Sequence, residues 1–193
     1  MFENITAVVP ASGSSSRMGY NKLLLEHDGK TIIEHVLETV CGFTWKDIIV
    51  AVAEPSVEQA ALNYPVRIIH NSCAHLGQSQ SVIQSVRASR DSAGWFFVSA
   101  DMPLLDDHIV NAVREAIEKN NGKIVAARYK YRNGQPVYFP QRYYTELISL
   151  QGDVGGRQII REHPEDIEYV DFGDIRQGMD MDTPEDYRRL RNE

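Results

Sequence analysis

The segment Val8–Leu25, VVPASGSSSRMGYNKLLL, decides the reading of the fold. It opens as an apolar strand and runs straight into a loop of small residues that carries Gly13, Gly19, Ser14, Ser15, Ser16, Arg17 and Lys22. Small residues let backbone N–H groups wrap an anion, and the two cations add positive charge beside them. That composition suits a polyphosphate. Two common phosphate motifs are excluded by spacing. A P-loop has four residues between its glycines and then Lys-Ser/Thr, whereas five residues separate Gly13 from Gly19 here and Tyr20 follows. The dinucleotide fingerprint fails because Ser15 stands where its second glycine belongs. Taken alone, the loop is equally well read as a surface turn with scattered charges.

Outward from this loop, apolar runs alternate with helical periodicity. ITAVVP, DIIVAVA, VRIIHN, GWFFVSA, KIVAARY and PVYFP read as strands. TIIEHVLETV places Ile33, Val36, Leu37 and Val40 on one helical face, and HIVNAVREAIEKNNG repeats the period through Ile109, Val113, Ala116 and Ile117. SQSVIQSVRAS reads as a further helix, and RNGQP as a turn before PVYFP. Thr183, Pro184, Glu185 and Asp186 mark the start of a last helix. Strands alternating with helices predict an α/β fold with a mostly parallel sheet, in one domain over residues 1–193.

In such sheets ligands gather beyond the carboxyl ends of the strands. After the fourth strand stands SADMPLL, where Asp101 is placed to hold a divalent cation or simply to start a turn. In GMDMDTPEDY, Asp180 and Asp182 alternate, so in an extended segment they point the same way. Asp182 also fits a helix-capping role. HLGQSQSVIQSV sets Ser79 and Ser81 at a helix start, either as N-caps or as contacts for a nucleobase or ribose. LQGDVGGRQII puts Arg157 in the first turn of a helix, where a cation opposes the dipole and calls for an anionic neighbour.

The bulk properties narrow the function. The chain has 193 residues, 42% hydrophobic and 24% charged, with a formal net charge of -7 and no dominant basic stripe. That argues against nucleic-acid binding. Arg188, Arg189 and Arg191 read as a solvated last helical turn. Cys41 and Cys73 suggest neither a disulfide framework nor a metal motif and suit a reducing cytoplasm. The first residues lack the pattern of a signal peptide, and no apolar run is long enough to cross a membrane. The six histidines show no ligand spacing, and no G-x-S-x-G is present.

Six segments in order resemble the molybdenum cofactor cytidylyltransferase group, of the MobA-like nucleotidyltransferases: PASGSSSRMGYNKLLL, GQSQSV, SADMP, GQPVYF, GDVGGR and DMDTPED. The match runs from Val8 to Tyr187. The resemblance implies a three-layer, Rossmann-like nucleotide-diphospho-sugar transferase fold. It implies Mg²⁺ held by Asp101 and Asp180, and Arg17 and Lys22 on the triphosphate, with Lys22, Arg17 and Asp101 the catalytic groups. Ala11, Ser12 and Gly13, with Ser79 and Ser81, would line the nucleotide. Gln135, Pro136, Gly155 and Arg157 would lie towards the second substrate. The activity implied is transfer of CMP from CTP to the phosphate of molybdopterin with release of pyrophosphate. Alternatives are a guanylyltransferase using GTP, a sugar-phosphate nucleotidyltransferase, and a non-enzymatic carrier of the cofactor. A molybdenum hydroxylase of the xanthine dehydrogenase type is the implied protein partner. Related guanylyltransferases generally carry a second glycine at the position of Ser12 and an Asp before the lysine. Asn21 in that place leans towards cytidine.

Overall fold

The computed structural model describes residues 2–13, 21–120 and 122–191. Arg17, with the rest of its serine-rich stretch, lies outside these residues. The strands in chain order are β1 (Ile5–Ala11), β2 (Glu26–His27), β3 (Lys30–Thr31), β4 (Asp47–Val52), β5 (Arg67–His70), β6 (Gly94–Phe97), β7 (Ile124–Tyr129), β8 (Arg132–Pro140) and β9 (Ile167–Phe172). The helices are α1 (Ile32–Cys41), α2 (Pro55–Ala61), α3 (Ser79–Ala88), α4 (Asp107–Lys119), α5 (Tyr144–Ile148), α6 (Arg157–Glu162) and α7 (Pro184–Arg191). β2 and β3 form a small hairpin, and the other strands form a seven-stranded sheet ordered β5-β4-β1-β6-β8-β7-β9. Within that sheet, β8 alone runs antiparallel to its neighbours.

Alternation along the strands creates the layers. Ile5, Ala7, Val9 and Ala11 of β1 enter one apolar cluster while Val8 enters another. Phe96 of β6 joins the first cluster, and its neighbours Trp95 and Phe97 join the second. The first cluster takes its helical side chains from α1, α2 and α4, the second from α3, α5 and α6. The result is helix, sheet, helix: a three-layer α/β fold with a mostly parallel sheet. Thr6 Oγ1 and Ser92 Oγ, both buried, meet at 2.7 Å, whereas the buried hydroxyls of Ser79 and Ser85 have no hydrogen-bond partner among the described residues.

One sequence expectation is overturned. RNGQP is not a turn; it lies inside β8. The chain reverses instead at Lys130 and Tyr131, both at positive φ (43° and 74°), between the paired residues Tyr129 and Arg132. The turn-forming residues serve another purpose. Between the Ala126–Val137 and Arg128–Asn133 pairs, β8 contributes Gly134, Gln135 and Pro136 opposite Ala127 alone, and so bulges. The Gln135–Pro136 peptide bond within the bulge is cis. α2, α5 and β9 have no counterpart in the sequence reading. β9 is an edge strand whose residues are mostly half-buried, so its apolar signal is diluted.

Met181, Leu190 and Ile32 form a separate small cluster that seats α7 against the start of α1. α7 begins with a reciprocal cap. The Asp186 carboxylate accepts from the Thr183 N–H (2.8 Å) and hydroxyl (2.7 Å), and the Asp186 N–H donates to Thr183 Oγ1 (3.2 Å). Thr183→Ala is therefore expected to cost about 1 kcal/mol and lower Tm by about 2–4 °C. A thermal melt reads this directly, and an unchanged midpoint would mean that the cap does not hold α7.

Candidate functional site

The topology gathers the sequence-expected residues at one edge. Ala11, Ser12 and Gly13 close β1, Asp101 follows β6, and Asp180 and Asp182 follow β9; all three strands end on the same side of the sheet. Because β8 is antiparallel, its beginning, with Gln135 and Pro136, lies on that side too. α3 begins there after β5.

Lys22 occupies the centre. It opens a 3-10 turn, Lys22–Leu24, capped by the Asn21 side chain, whose Oδ1 accepts from the Leu23 N–H at 3.0 Å. Lys22 Nζ donates to Asp101 Oδ2 at 2.5 Å and to Asp182 Oδ1 at 2.9 Å. Ser99 Oγ donates to the other oxygen of Asp101 at 2.6 Å and so fixes that carboxylate. The backbone closes the arrangement, since the Met181 N–H donates to the Asp101 carbonyl at 3.0 Å. Residues 101 and 181 are thus adjacent in space, and Asp180 and Asp182 flank the fully buried Met181.

Electrostatics follow from this crowding. Burial pulls the Lys22 ammonium pKa down, but Asp101 and then Asp182 outweigh it, and the net shift is upward. Burial pushes the Asp180 carboxyl up to about 7; the Asp101 and Asp182 carboxylates push the same way, against Lys22 and Arg157. A hard divalent cation would relieve that excess of negative charge, and an all-oxygen donor set fits one. Asp101, Asp180 and Asp182 could hold it. Among the described residues, the one triad of ligand atoms lying within 4.8 Å of one another is His163, Glu165 and Asp166. The three site carboxylates are therefore spread around Lys22 rather than closed on one point. Such spacing suits an ion that keeps water and substrate oxygens in its shell. The His163 group is engaged otherwise: His163 contacts Glu146 at 2.8 Å, and Asp166 accepts from Tyr143 at 2.9 Å and pairs with Arg142 at 2.8 Å.

Around this centre the remaining expected residues take different positions. Ser12 Oγ donates to the Ala51 carbonyl at 2.8 Å, tying the end of β1 to β4, and Gly13 is exposed. Ser79 and Ser81 are buried (0% and 4% exposed) and lie within α3 rather than capping it. Asn71 organises this wall, with its Nδ2 donating to Ser81 Oγ (3.0 Å) and its Oδ1 accepting from the Cys73 N–H (3.1 Å) and Gln84 Nε2 (2.9 Å). The α3 start is latched to the loop before α6, because the Ser79 N–H donates to the Gly152 carbonyl at 3.3 Å. Gly77, at φ +108°, permits that approach; a Cβ there would sit 2.3 Å from Gly152 O. Gly155 is half-buried beside Gln78, and Arg157 is exposed at the head of α6. Arg157 nonetheless opposes the upward shift of the Asp180 carboxyl, as the last of the influences on it, so its charge is felt at the acidic cluster. Gln135 Oε1 is buried without a hydrogen-bond partner, an acceptor left open beside the bulge.

Sequence reasoning missed Ser99, Asn71 and the Lys22–Asp182 pair. A hydroxyl two residues before Asp101 was a legible signal for the first. The pair spans 160 positions and has no local signature.

The MobA-like NTP transferase domain matches residues 7–167 of the chain. The nicotine blue oxidoreductase of Paenarthrobacter nicotinovorans is 27% identical over 197 residues, covering 96% of each chain. A protein of Carboxydothermus hydrogenoformans named "Probable molybdenum cofactor guanylyltransferase" is 24% identical, covering 97% of this chain and 95% of its own. Among solved structures, Rv0371c from Mycobacterium tuberculosis superposes with a TM-score of 0.81 at 23% identity, over 98% of both chains. A manganese complex of the same protein gives a TM-score of 0.77 at 23% identity, again over 98% of both. With three strand ends carrying the candidate residues and the family match running from β1 into β9, the chain belongs to the MobA-like NTP transferase domain family.

Proposed function

We propose that the chain transfers CMP from CTP to the terminal phosphate of molybdopterin in the cytoplasm, releasing pyrophosphate, with Mg²⁺ at the acidic cluster. The observation that carries this reading is the Lys22 ammonium held between Asp101 and Asp182, beside Asp180, where the first loop meets the ends of β6 and β9. The acceptor is a phosphate monoester with a second pKa near about 6, so it is already anionic at neutral pH and needs no general base. What the displacement at the α-phosphorus requires is neutralisation of charge and in-line positioning. A Mg²⁺ ion at the acidic cluster would supply charge neutralisation. Asp101 and Asp180 would hold it, with Ser99 fixing the Asp101 carboxylate. Lys22 exchanges its carboxylate partners for phosphate oxygens as the nucleotide enters, and Arg17 joins it on the triphosphate. Ala11, Ser12 and Gly13 line the nucleotide, with Ser79 and Ser81 forming the wall behind. Gln135, Pro136, Gly155 and Arg157 face the acceptor, and the open Gln135 Oε1 offers it a hydrogen-bond acceptor. The preference for CTP rests on Ser12 and Asn21; a neutral amide beside Lys22 leaves its charge to the phosphates. The product would pass to a molybdenum hydroxylase of the xanthine dehydrogenase type.

The nucleotide is tested by thermal shift with CTP, GTP, ATP and UTP plus Mg²⁺. At a hundred times its Kd a ligand of the folded state adds about 2.7 kcal/mol, and CTP is expected to give the largest rise. A rise with GTP alone would replace cytidine by guanosine. Asp101→Asn should cut pyrophosphate release from CTP and molybdopterin on the order of a hundredfold or more while the protein stays folded. Turnover at the wild-type rate would remove Asp101 from the site. In metal-free protein, Asp180→Asn removes one of three crowded carboxylates. It should raise stability by about 1 kcal/mol, or about 2–4 °C in Tm, while abolishing the stabilisation given by added Mg²⁺. A lower midpoint without metal would contradict the crowding.

A further inference from the structure

Tyr129 ends β7 and is 2% exposed. Its ring stacks on Phe172 at the end of β9, with centroids 5.2 Å apart and planes inclined by 23°. Two glycines from separate segments lie against that ring. A Cβ on Gly178 would come within 2.2 Å of Tyr129 Cδ2, and one on Gly134 within 2.8 Å of Cε2. The hydroxyl donates to the Gln135 carbonyl oxygen at 2.7 Å. Burial, and after it the carboxylates of Asp106 and Asp180, hold the phenol well above its ordinary pKa, so it remains a donor.

One side chain therefore touches both halves of the candidate site. Above it passes the bulge of β8, with Gln135 and Pro136. Against its ring rests Gly178, two residues before Asp180. The segment from Gly178 to Asp182 belongs to no strand or α-helix. Gly178 closes a 3-10 turn over Ile175–Gly178, and the backbone beyond it is tied by the Met179 N–H to the Arg176 carbonyl at 2.9 Å, the Met181 N–H to the Asp101 carbonyl at 3.0 Å and the Asp182 N–H to Asp186 Oδ2 at 3.3 Å. These ties sit at or beyond the peptide of Met179, and contact with a rigid, buried ring fixes the segment at Gly178 itself.

We propose that Tyr129 is a positioning residue whose ring sets the height of Gly178, and with it the Asp180 carboxylate, while its hydroxyl sets the Gln135 carbonyl. The cation side and the acceptor side of the site are thereby held at one spacing. This rests on the reading of Asp180 as a cation ligand. The physical need is plain, since small displacements of a reacting group lower rates steeply. A ring that only filled the core would affect stability and nothing else.

The experiment compares Tyr129→Leu, Tyr129→Phe, Gly178→Ala and the double variant Gly178→Ala/Tyr129→Leu with wild type. Two quantities are measured well below each melting temperature: the dissociation constant for Mn²⁺, from the paramagnetic resonance of free ion, and amide hydrogen exchange across residues 178–182 without metal. Tyr129→Leu is expected to weaken Mn²⁺ binding at least tenfold and to speed exchange in that segment at least tenfold. Tyr129→Phe, which keeps the ring, should change each less than threefold. Gly178→Ala should weaken Mn²⁺ binding as Tyr129→Leu does, and the double variant should recover part of that loss because the smaller side chain admits the new methyl. Folded Tyr129→Leu protein with wild-type Mn²⁺ affinity and wild-type exchange would overturn the proposal. If that variant does not fold, Gly178→Ala is measured in its place, and wild-type values of both quantities would overturn the proposal equally. Wild-type protein that binds no Mn²⁺ sensitive to Asp101→Asn would overturn the cation reading instead. The exchange measurement would then decide the role of Tyr129 by itself.

Discussion

A single ammonium ion holds three remote parts of the chain in register. Lys22 comes from the segment after β1, Asp101 from the end of β6, and Asp182 from the approach to α7. The two contacts are unequal. Lys22 and Asp101 are 18% and 13% exposed, whereas Asp182 is 60% exposed. An exposed pair contributes about 0–1 kcal/mol, and breaking a buried one leaves an uncompensated charge at a cost of about 3–5 kcal/mol. The Lys22–Asp101 pair, largely shielded and further fixed by Ser99, therefore anchors the edge. Asp182 adds direction rather than strength. The Met181 N–H bond to the Asp101 carbonyl does the complementary work in the backbone, joining two loops that share no strand pairing.

The one antiparallel strand of the large sheet has an equally specific effect. Parallel strands deliver their carboxyl ends to a common edge, and a strand of opposite sense delivers its beginning. β8 brings to that edge a bulge of Gly134, Gln135 and Pro136 opposite a single residue of β7. One wall of the candidate site is built from β1, β4 and the start of α3; the opposite wall is built from β8 and the loop before α6. The bond from the Ser79 N–H to the Gly152 carbonyl and the closeness of Gly77 to Gly152 knit the two walls at their far end.

The layers and most strands were legible in the sequence because they rest on local pattern: continuous apolar runs in β1 and β6, which are buried almost throughout, and the helical period in α1 and α4, whose buried residues follow it. RNGQP misled for a physical reason. Its glycine answers to the ring of Tyr129 lying against it, a tertiary demand that turn statistics do not encode. At the site, Asp101 and Lys22 were visible from their places after strands. The nearness of Asp180 to Asp101 depends on how the last loop folds back, and no spacing reports it. Ser79 and Ser81 carried a capping signal, yet both are buried, and Asn71, a residue with no motif around it, takes up the Ser81 hydroxyl.

The packing around Tyr129 also bears on how such a chain changes over generations. Its ring fills the volume that two Cβ atoms, from separate segments of the chain, would otherwise claim. A methyl gained at either glycine is tolerated only when the aromatic shrinks, and a smaller residue at 129 leaves a void beneath both. The three sites are thereby coupled, and a chain that gains a side chain at either glycine is expected to need a smaller residue at 129.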